Sequence, residues 1–132
     1  MKKIKVVRIE PGRHPEVIEI GTKLEELQAA VGGFIETCYA FEDDTVIVLN
    51  EEGKMNGMMP NRALYDDDNE LVDIVFGPFF ICDGSGESFE SLNDEQIIEY
   101  TQRFFLPERF SMSYGGRITV MPYSPEVEVQ NG

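Results

Sequence analysis

The stretch Leu71-Val72-Asp73-Ile74-Val75-Phe76-Gly77-Pro78-Phe79-Phe80-Ile81-Cys82 decides how this chain folds. Its Val, Ile and Phe content predicts one long β-strand, bent or bulged at Gly77-Pro78, because Pro cannot donate to a ladder and Gly tolerates the kink. It is too short and too interrupted for the roughly 20 apolar residues that span a bilayer. Beyond it, Asp83-Gly84-Ser85-Gly86 is a turn. The clearest helix signal follows: Asn93 as N-cap, Asp94 and Glu95 in the first turn, Gln96 at N3, and Leu92 placed to staple against Ile97. Ile97, Ile98, Thr101, Phe104 and Phe105 form the expected inner face, and Pro107 stops the helix.

On the N-terminal side, Lys3 to Ile9 and Val17 to Ile20 read as paired strands joined through Glu10-Pro11-Gly12. Thr22 with Glu25 has the form of a capping box, which predicts a helix from Lys23 to Val31 ended by Gly32-Gly33. Phe34 to Phe41 and Thr45 to Asn50 read as a hairpin closed by Glu42-Asp43-Asp44. The tail carries one expected short strand, Arg117 to Met121, before it frays. The order ββαβββα plus a terminal strand predicts an α+β fold: an antiparallel or mixed β-sheet with two helices packed on it. Residues 1–106 form the expected single core domain, and residues 107–132 a C-terminal extension.

At 132 residues, with 42% hydrophobic and 27% charged residues, the chain is ordinary for one globular domain. Lys5 and Arg8 interrupt the apolar residues after Met1-Lys2-Lys3, so no signal peptide is expected, and the protein reads as soluble and cytoplasmic. Cys38 and Cys82 sit in separate strand-like runs and read as small buried thiols rather than a disulfide framework.

The charge is the least ordinary bulk property: 25 acidic against 11 basic residues, a net charge of −14. That balance argues against direct nucleic-acid binding. From Ala63 to Gln102 there is no Lys or Arg, while Asp66, Asp67, Asp68, Glu70, Asp73, Asp83, Glu87, Glu90, Asp94, Glu95 and Glu99 all fall there. Such a run either serves solubility and helix starts or forms a surface that docks onto a basic partner. In the second reading Asp66, Asp67, Asp68, Glu70, Asp73, Asp83, Glu87 and Glu90 are the partner-binding residues.

No set of catalytic groups stands out, and no enzyme activity, metal or cofactor is expected. His14 is the sole imidazole and reads as a solvated turn residue in Gly12-Arg13-His14-Pro15. Asp66-Asp67-Asp68-Asn69-Glu70 suggests calcium, but an EF-hand needs Gly at its sixth position and Glu at its twelfth, where this chain has Leu71 and Gly77. The loop from Asn50 to Arg62 mixes Met with Asn, Lys and Arg, the composition of a ligand cleft. Asn50, Lys54, Pro60, Asn61 and Arg62 are its candidate ligand-binding residues: Lys54 and Arg62 either pair with carboxylates or receive an anionic small molecule such as a nucleotide signal.

Several motifs in order carry a resemblance: Glu10-Pro11-Gly12 with Pro15-Glu16-Val17, Leu24 to Gly33, Asn50-Glu51-Glu52-Gly53-Lys54, Pro60-Asn61-Arg62, Gly77-Pro78-Phe79 and Ser91-Leu92-Asn93-Asp94-Glu95-Gln96. Over residues 1–106 the chain resembles an uncharacterised domain family of phages, plasmids and conjugative elements of gut Gram-positive bacteria. That resemblance implies a non-enzymatic mobile-element accessory protein in the host cytoplasm. Some similar proteins are grouped with type II anti-CRISPR inhibitors, which makes a host defence protein with a basic surface, such as Cas9, the implied partner.

Overall fold

The computed structural model describes residues 2–126. Five strands form one fully antiparallel sheet: β1 (Lys3–Ile9), β2 (Glu16–Gly21), β3 (Ile35–Cys38), β4 (Thr45–Asn50) and β7 (Phe79–Asp83), in the order β2-β1-β7-β4-β3. Strands β5 (Pro60–Tyr65) and β6 (Leu71–Phe76) pair as a separate hairpin, as do β8 (Glu108–Met112) and β9 (Ile118–Pro122). Helix α1 (Leu24–Val31) follows β2, and α2 (Asp94–Arg103) follows β7.

The two helices lie on opposite faces of the five-stranded sheet. Side chains alternate along a strand, so Ile4, Val6, Val46, Val48, Phe80 and Cys82 meet Leu27 and Val31 of α1 on one face. Val7, Ile9, Ile47, Phe79 and Ile81 meet Tyr100 and Phe104 of α2 on the other, together with Leu64 and Val75 from the β5–β6 hairpin. Burial on both faces explains why Val46-Ile47-Val48 and Phe79-Phe80-Ile81-Cys82 are continuous apolar runs rather than alternating ones. Leu27 and Val31 each contribute roughly 1.5–3 kcal/mol by leaving water.

The α+β expectation of two helices on a sheet holds; several of its parts are corrected. The stretch Leu71 to Cys82 is two strands in different sheets. Gly77 adopts φ 85, a left-handed conformation that suits glycine, and its N–H donates to the Met59 carbonyl at 2.8 Å. Pro78 then offers no N–H, so the chain leaves β6 and enters the central sheet as β7. The loop from Asn50 ends in a strand, β5, which the sequence reading missed. The box at Thr22 and Glu25 does not form: β2 runs on to Gly21, Thr22 is left outside the first turn, and Lys23 becomes an N-cap with no side-chain bond. The other box is made in full, with Asn93 Oδ1 accepting from the Gln96 N–H at 2.8 Å and Gln96 Oε1 from the Asn93 N–H at 3.0 Å. Gly32 ends α1 at φ 80 as expected.

On α2 the buried anchor is Tyr100, whereas Ile98 is exposed. The connection from β3 to β4 spans residues 39–44, longer than the three-residue turn expected. Within its described residues the extension holds two strands rather than one, and the end of the tail expected to fray, residues 127–132, lies outside the described residues. His14 is not a free turn residue: its ring stacks on Phe105 at 4.1 Å, Nδ1 faces the Phe105 carbonyl at 2.7 Å and Nε2 faces Glu126 Oε1 at 2.6 Å. Two acceptors on one imidazole favour its protonated form, in which both nitrogens donate, and the Phe105 carbonyl leads in raising its pKa. No helix among the described residues is long and apolar enough to cross a membrane.

Candidate functional site

An open groove of about 700 Å³ lies between the 39–44 connection, the β5–β6 hairpin, the C-terminal half of α2 and the start of β8. Its walls carry Glu42, Asp43, Asp66, Asp67, Glu99 and Glu108 against the single cation Arg103. Phe41, Tyr65, Tyr100 and Phe104 supply the aromatic part of its lining.

Local structure explains each wall. Asp66 closes the β5–β6 turn: its Oδ1 accepts from the Asp68 and Glu70 N–H groups, both at 2.9 Å, and Asn69 takes the left-handed position at φ 62. That geometry holds Asp67 and Asp68 outward. Asp43 is fixed from below. The Tyr100 hydroxyl donates to its Oδ2 at 2.7 Å and the Thr45 hydroxyl donates to its Oδ1. Burial raises the Asp43 pKa, but the Thr45 and Tyr100 hydrogen bonds outweigh it and hold the carboxyl below its usual range, so the groove keeps this charge. The same buried network drives the Tyr100 phenol pKa up, mainly by desolvation.

Glu108 is half-buried and accepts from the Ala63 N–H at 2.8 Å. Burial raises its pKa against the opposing pull of that N–H and of Arg62. Arg103 lies over the Phe41 ring at 4.8 Å and 4.0 Å from Glu99, half exposed, so the ion pair itself is worth little.

Of the acids expected to meet a partner, only Asp66 and Asp67 line this groove, with Asp68 and Glu70 exposed at the adjacent hairpin tip. Asp73 is elsewhere, paired with Lys54 at 2.6 Å in a cleft of about 220 Å³. Asp83 and Glu90 bridge to each other through their backbones at the end of β7, where Asp83 also binds the Ser85 hydroxyl and Glu90 pairs with Lys2. Glu87 lines a third hollow beside Lys2 and Tyr39. The acids that complete the groove, Glu42, Asp43 and Glu108, lie outside the Ala63 to Gln102 run. Glu42-Asp43 had the signature of a turn alone, and Glu108 sits in the extension, so composition offered no signal for either.

The candidate ligand-binding residues do not surround one cleft. Arg62 is 1% exposed. Its Nε and one terminal nitrogen donate to the Phe104 carbonyl at 3.2 and 3.0 Å, with further bonds to the Arg13 carbonyl at 2.6 Å and Asn61 Oδ1 at 2.9 Å. The guanidinium therefore caps the end of α2 from another element and is not free to take a phosphate. Burial lowers its pKa to about 10, against the pull of Glu108 and Tyr123.

Asn61, fully buried, donates to the Ile9 carbonyl at 3.0 Å and the Gly77 carbonyl at 2.9 Å. The register slips between Pro60 and Arg62, and this bulge is why two consecutive side chains both turn inward. Asn50 donates to the Val31 carbonyl at the end of α1 and accepts from the Glu52 N–H. Pro60 begins β5, and Lys54 lies over Phe76 as well as beside Asp73.

No curated protein and no solved structure matches the chain. Residues 4–105, the part that builds both core clusters and every wall of the groove except Glu108, match a family described as a domain of unknown function, DUF3846. The chain belongs to the DUF3846 family.

Proposed function

We propose that this protein is a non-enzymatic docking protein that offers its acidic groove to the basic, nucleic-acid-binding surface of another protein. The carrying observation is the groove of about 700 Å³ with six carboxylates and one arginine on its walls. Two of those carboxylates, Asp43 and Asp66, are held in place by hydrogen bonds rather than left on mobile side chains. A preorganised row of negative charge beside aromatic rings suits Arg and Lys side chains that otherwise meet phosphates. The resemblance to phage and mobile-element proteins makes a host defence nuclease such as Cas9, with its positively charged heteroduplex channel, the first partner to try. In that reading the protein is an anti-CRISPR-like inhibitor working in the host cell.

The test is pull-down and DNA cleavage with Cas9 at low and moderate salt, using the wild type and an Asp66→Asn/Asp67→Asn/Glu99→Gln variant. The expected result is a complex that blocks cleavage, weakens with salt and is lost in the variant. Full cleavage with no complex at either salt overturns the assignment of Cas9 as partner, and inhibition that survives in the variant overturns the groove.

A further inference from the structure

His14 is the sole imidazole of the chain, and it sits where the domain meets its extension. The family match ends at residue 105, and it is the Phe105 carbonyl that faces Nδ1 at 2.7 Å while the Phe105 ring stacks on the imidazole at 4.1 Å. Nε2 faces Oε1 of Glu126, the last described residue of the extension, at 2.6 Å. The Ser124 hydroxyl donates to the other oxygen of that carboxylate at 2.8 Å, which leaves Oε1 for the ring. One side chain from the β1–β2 turn thereby bridges residues 105 and 126.

We propose that His14 is a pH-operated clasp: protonated, it fastens Ser124 to Glu126 against the domain, and neutral, it lets that segment go. Only the imidazolium serves both sides, because it donates from both nitrogens. A neutral ring donates from one nitrogen and turns a lone pair on the other, which then meets either the Phe105 carbonyl or the Glu126 carboxylate. Glu126 is the partner that leaves, since its side chain is more than half exposed, whereas the Phe105 carbonyl lies just past α2 beside the stacked rings. The neighbouring ties stop short of this segment: the Tyr123 N–H donates to the Pro107 carbonyl at 2.9 Å, and Arg109 lies over the Tyr123 ring at 4.4 Å.

Charges reach the ring from three elements. In its own turn, Arg13 lies 3.9 Å from Glu10, which offsets it. From β5, the buried Arg62 disfavours a second cation, and Glu108 and Tyr123 pull the other way on Arg62. From the extension comes Glu126. The balance favours the imidazolium: the Phe105 carbonyl leads, burial opposes it, and the Glu126 hydrogen bond and charge add to it. Glu126 is itself held below the usual carboxyl range by its own N–H, the Ser124 hydroxyl and His14, so it keeps its charge. With the folded pKa raised, the stabilisation is complete below the free imidazole value of about 6.5 and is lost as pH rises through the folded value. On the acid side it persists until Glu126 protonates.

With one histidine in the full chain, the imidazole proton shifts in NMR report a single titration. The expected midpoint lies above about 6.5, and carbon relaxation of Ser124, Pro125 and Glu126 is expected to pass from ordered to fast motion through that same midpoint. Glu126→Gln removes the charge at nearly constant shape and is expected to lower the midpoint and to loosen the segment in acid as well. His14→Gln is expected to abolish the pH dependence of the segment's motion. Circular dichroism checks that both variants are folded, and the wild-type titration decides by itself if either is not. A midpoint at or below about 6.5 overturns the proposal, as does motion of residues 124–126 that ignores the titration. So does a pH dependence that survives in His14→Gln. A midpoint unmoved in Glu126→Gln overturns it too, leaving His14 bonded to Phe105 alone.

Discussion

Asn61-Arg62 at the start of β5 and Asp66-Asp67 in the turn just past its end are both polar, yet the structure uses them in opposite ways. Asn61 and Arg62 face inward, and apart from one bond from Arg62 to Asn61 Oδ1 their donors reach the backbone carbonyls of Ile9, Gly77, Arg13 and Phe104. Those carbonyls belong to four different parts of the chain, so the pair ties the hairpin to the first strand, the His14 turn and the end of α2. Asp66 and Asp67 line the groove, and among the described residues the side-chain bonds here are the local ones by which Asp66 shapes the turn. A buried polar residue whose donors are all taken up inside the chain is part of the fold; an exposed one whose charge has no internal partner remains available to something outside it.

The strongest way to break this contrast is Arg62→Ala. It leaves the Phe104 and Arg13 carbonyls without a donor in a closed site, and unsatisfied buried groups cost about 1–3 kcal/mol each. The expected loss is about 3–5 kcal/mol in urea denaturation, with the β8–β9 base and the His14 turn loosened together. A stable, fully folded Arg62→Ala protein would reopen the anion-binding reading of this residue.

Tyr100→Phe tests the boundary between the two regions, since Tyr100 is buried but its hydroxyl supports a groove carboxylate. The expected cost is about 1 kcal/mol at neutral pH. Asp43 has a folded pKa below its unfolded value, so its contribution is present above the ordinary carboxyl pKa and is lost as pH falls through the lowered one. Removing the hydroxyl weakens that depression. Stability measured against pH is therefore expected to fall off less between neutral and acid conditions in Tyr100→Phe than in the wild type.

The smallest effect is expected from Asp66→Asn/Asp67→Asn/Asp68→Asn. Asparagine at position 66 keeps the Oδ1 acceptor that closes the turn, and the other two side chains are exposed. Thermal unfolding is expected to move by less than about 0.5 kcal/mol. A large destabilisation would place these acids with Arg62, as parts of the fold.

The readings that survived from sequence were local. The Asn93 box, the Gly32 cap, the first hairpin and the alternation-free apolar runs are each dictated by neighbours within a few residues. What could not be read was which distant carbonyl a polar side chain would find. Arg62 reaches Phe104 and Arg13, and His14 reaches Phe105 and Glu126; nothing near them in sequence announces those partners. The groove had the same difficulty. Its acidic hairpin tip was legible as a charge run, but Asp43 and Glu108 join it only because β4, β5 and β8 are brought together by the fold. Leu71 to Cys82 was misread for a third reason: a Gly-Pro pair is compatible with a bend in one strand and with a step between two sheets, and only the pairing partners distinguish them.

The strand order β2-β1-β7-β4-β3 has a consequence for how the chain is made. Its middle strand comes last of the five in the chain, so β1–β2 and β3–β4 are the only pairings of this sheet open to the chain before β7 is made. Until residue 83 emerges, β1 and β4 each present an unpaired, Val- and Ile-rich edge to other nascent chains, and closure must then bridge Ile9 to Phe79 across most of the domain. During that interval Glu16, Glu19, Glu25, Glu26, Glu36, Glu42, Asp43 and Asp44 already lie on or beside the waiting hairpins, and like-charged fragments stay apart in solution. The acidity of this protein thus has work to do before there is any groove for it to line.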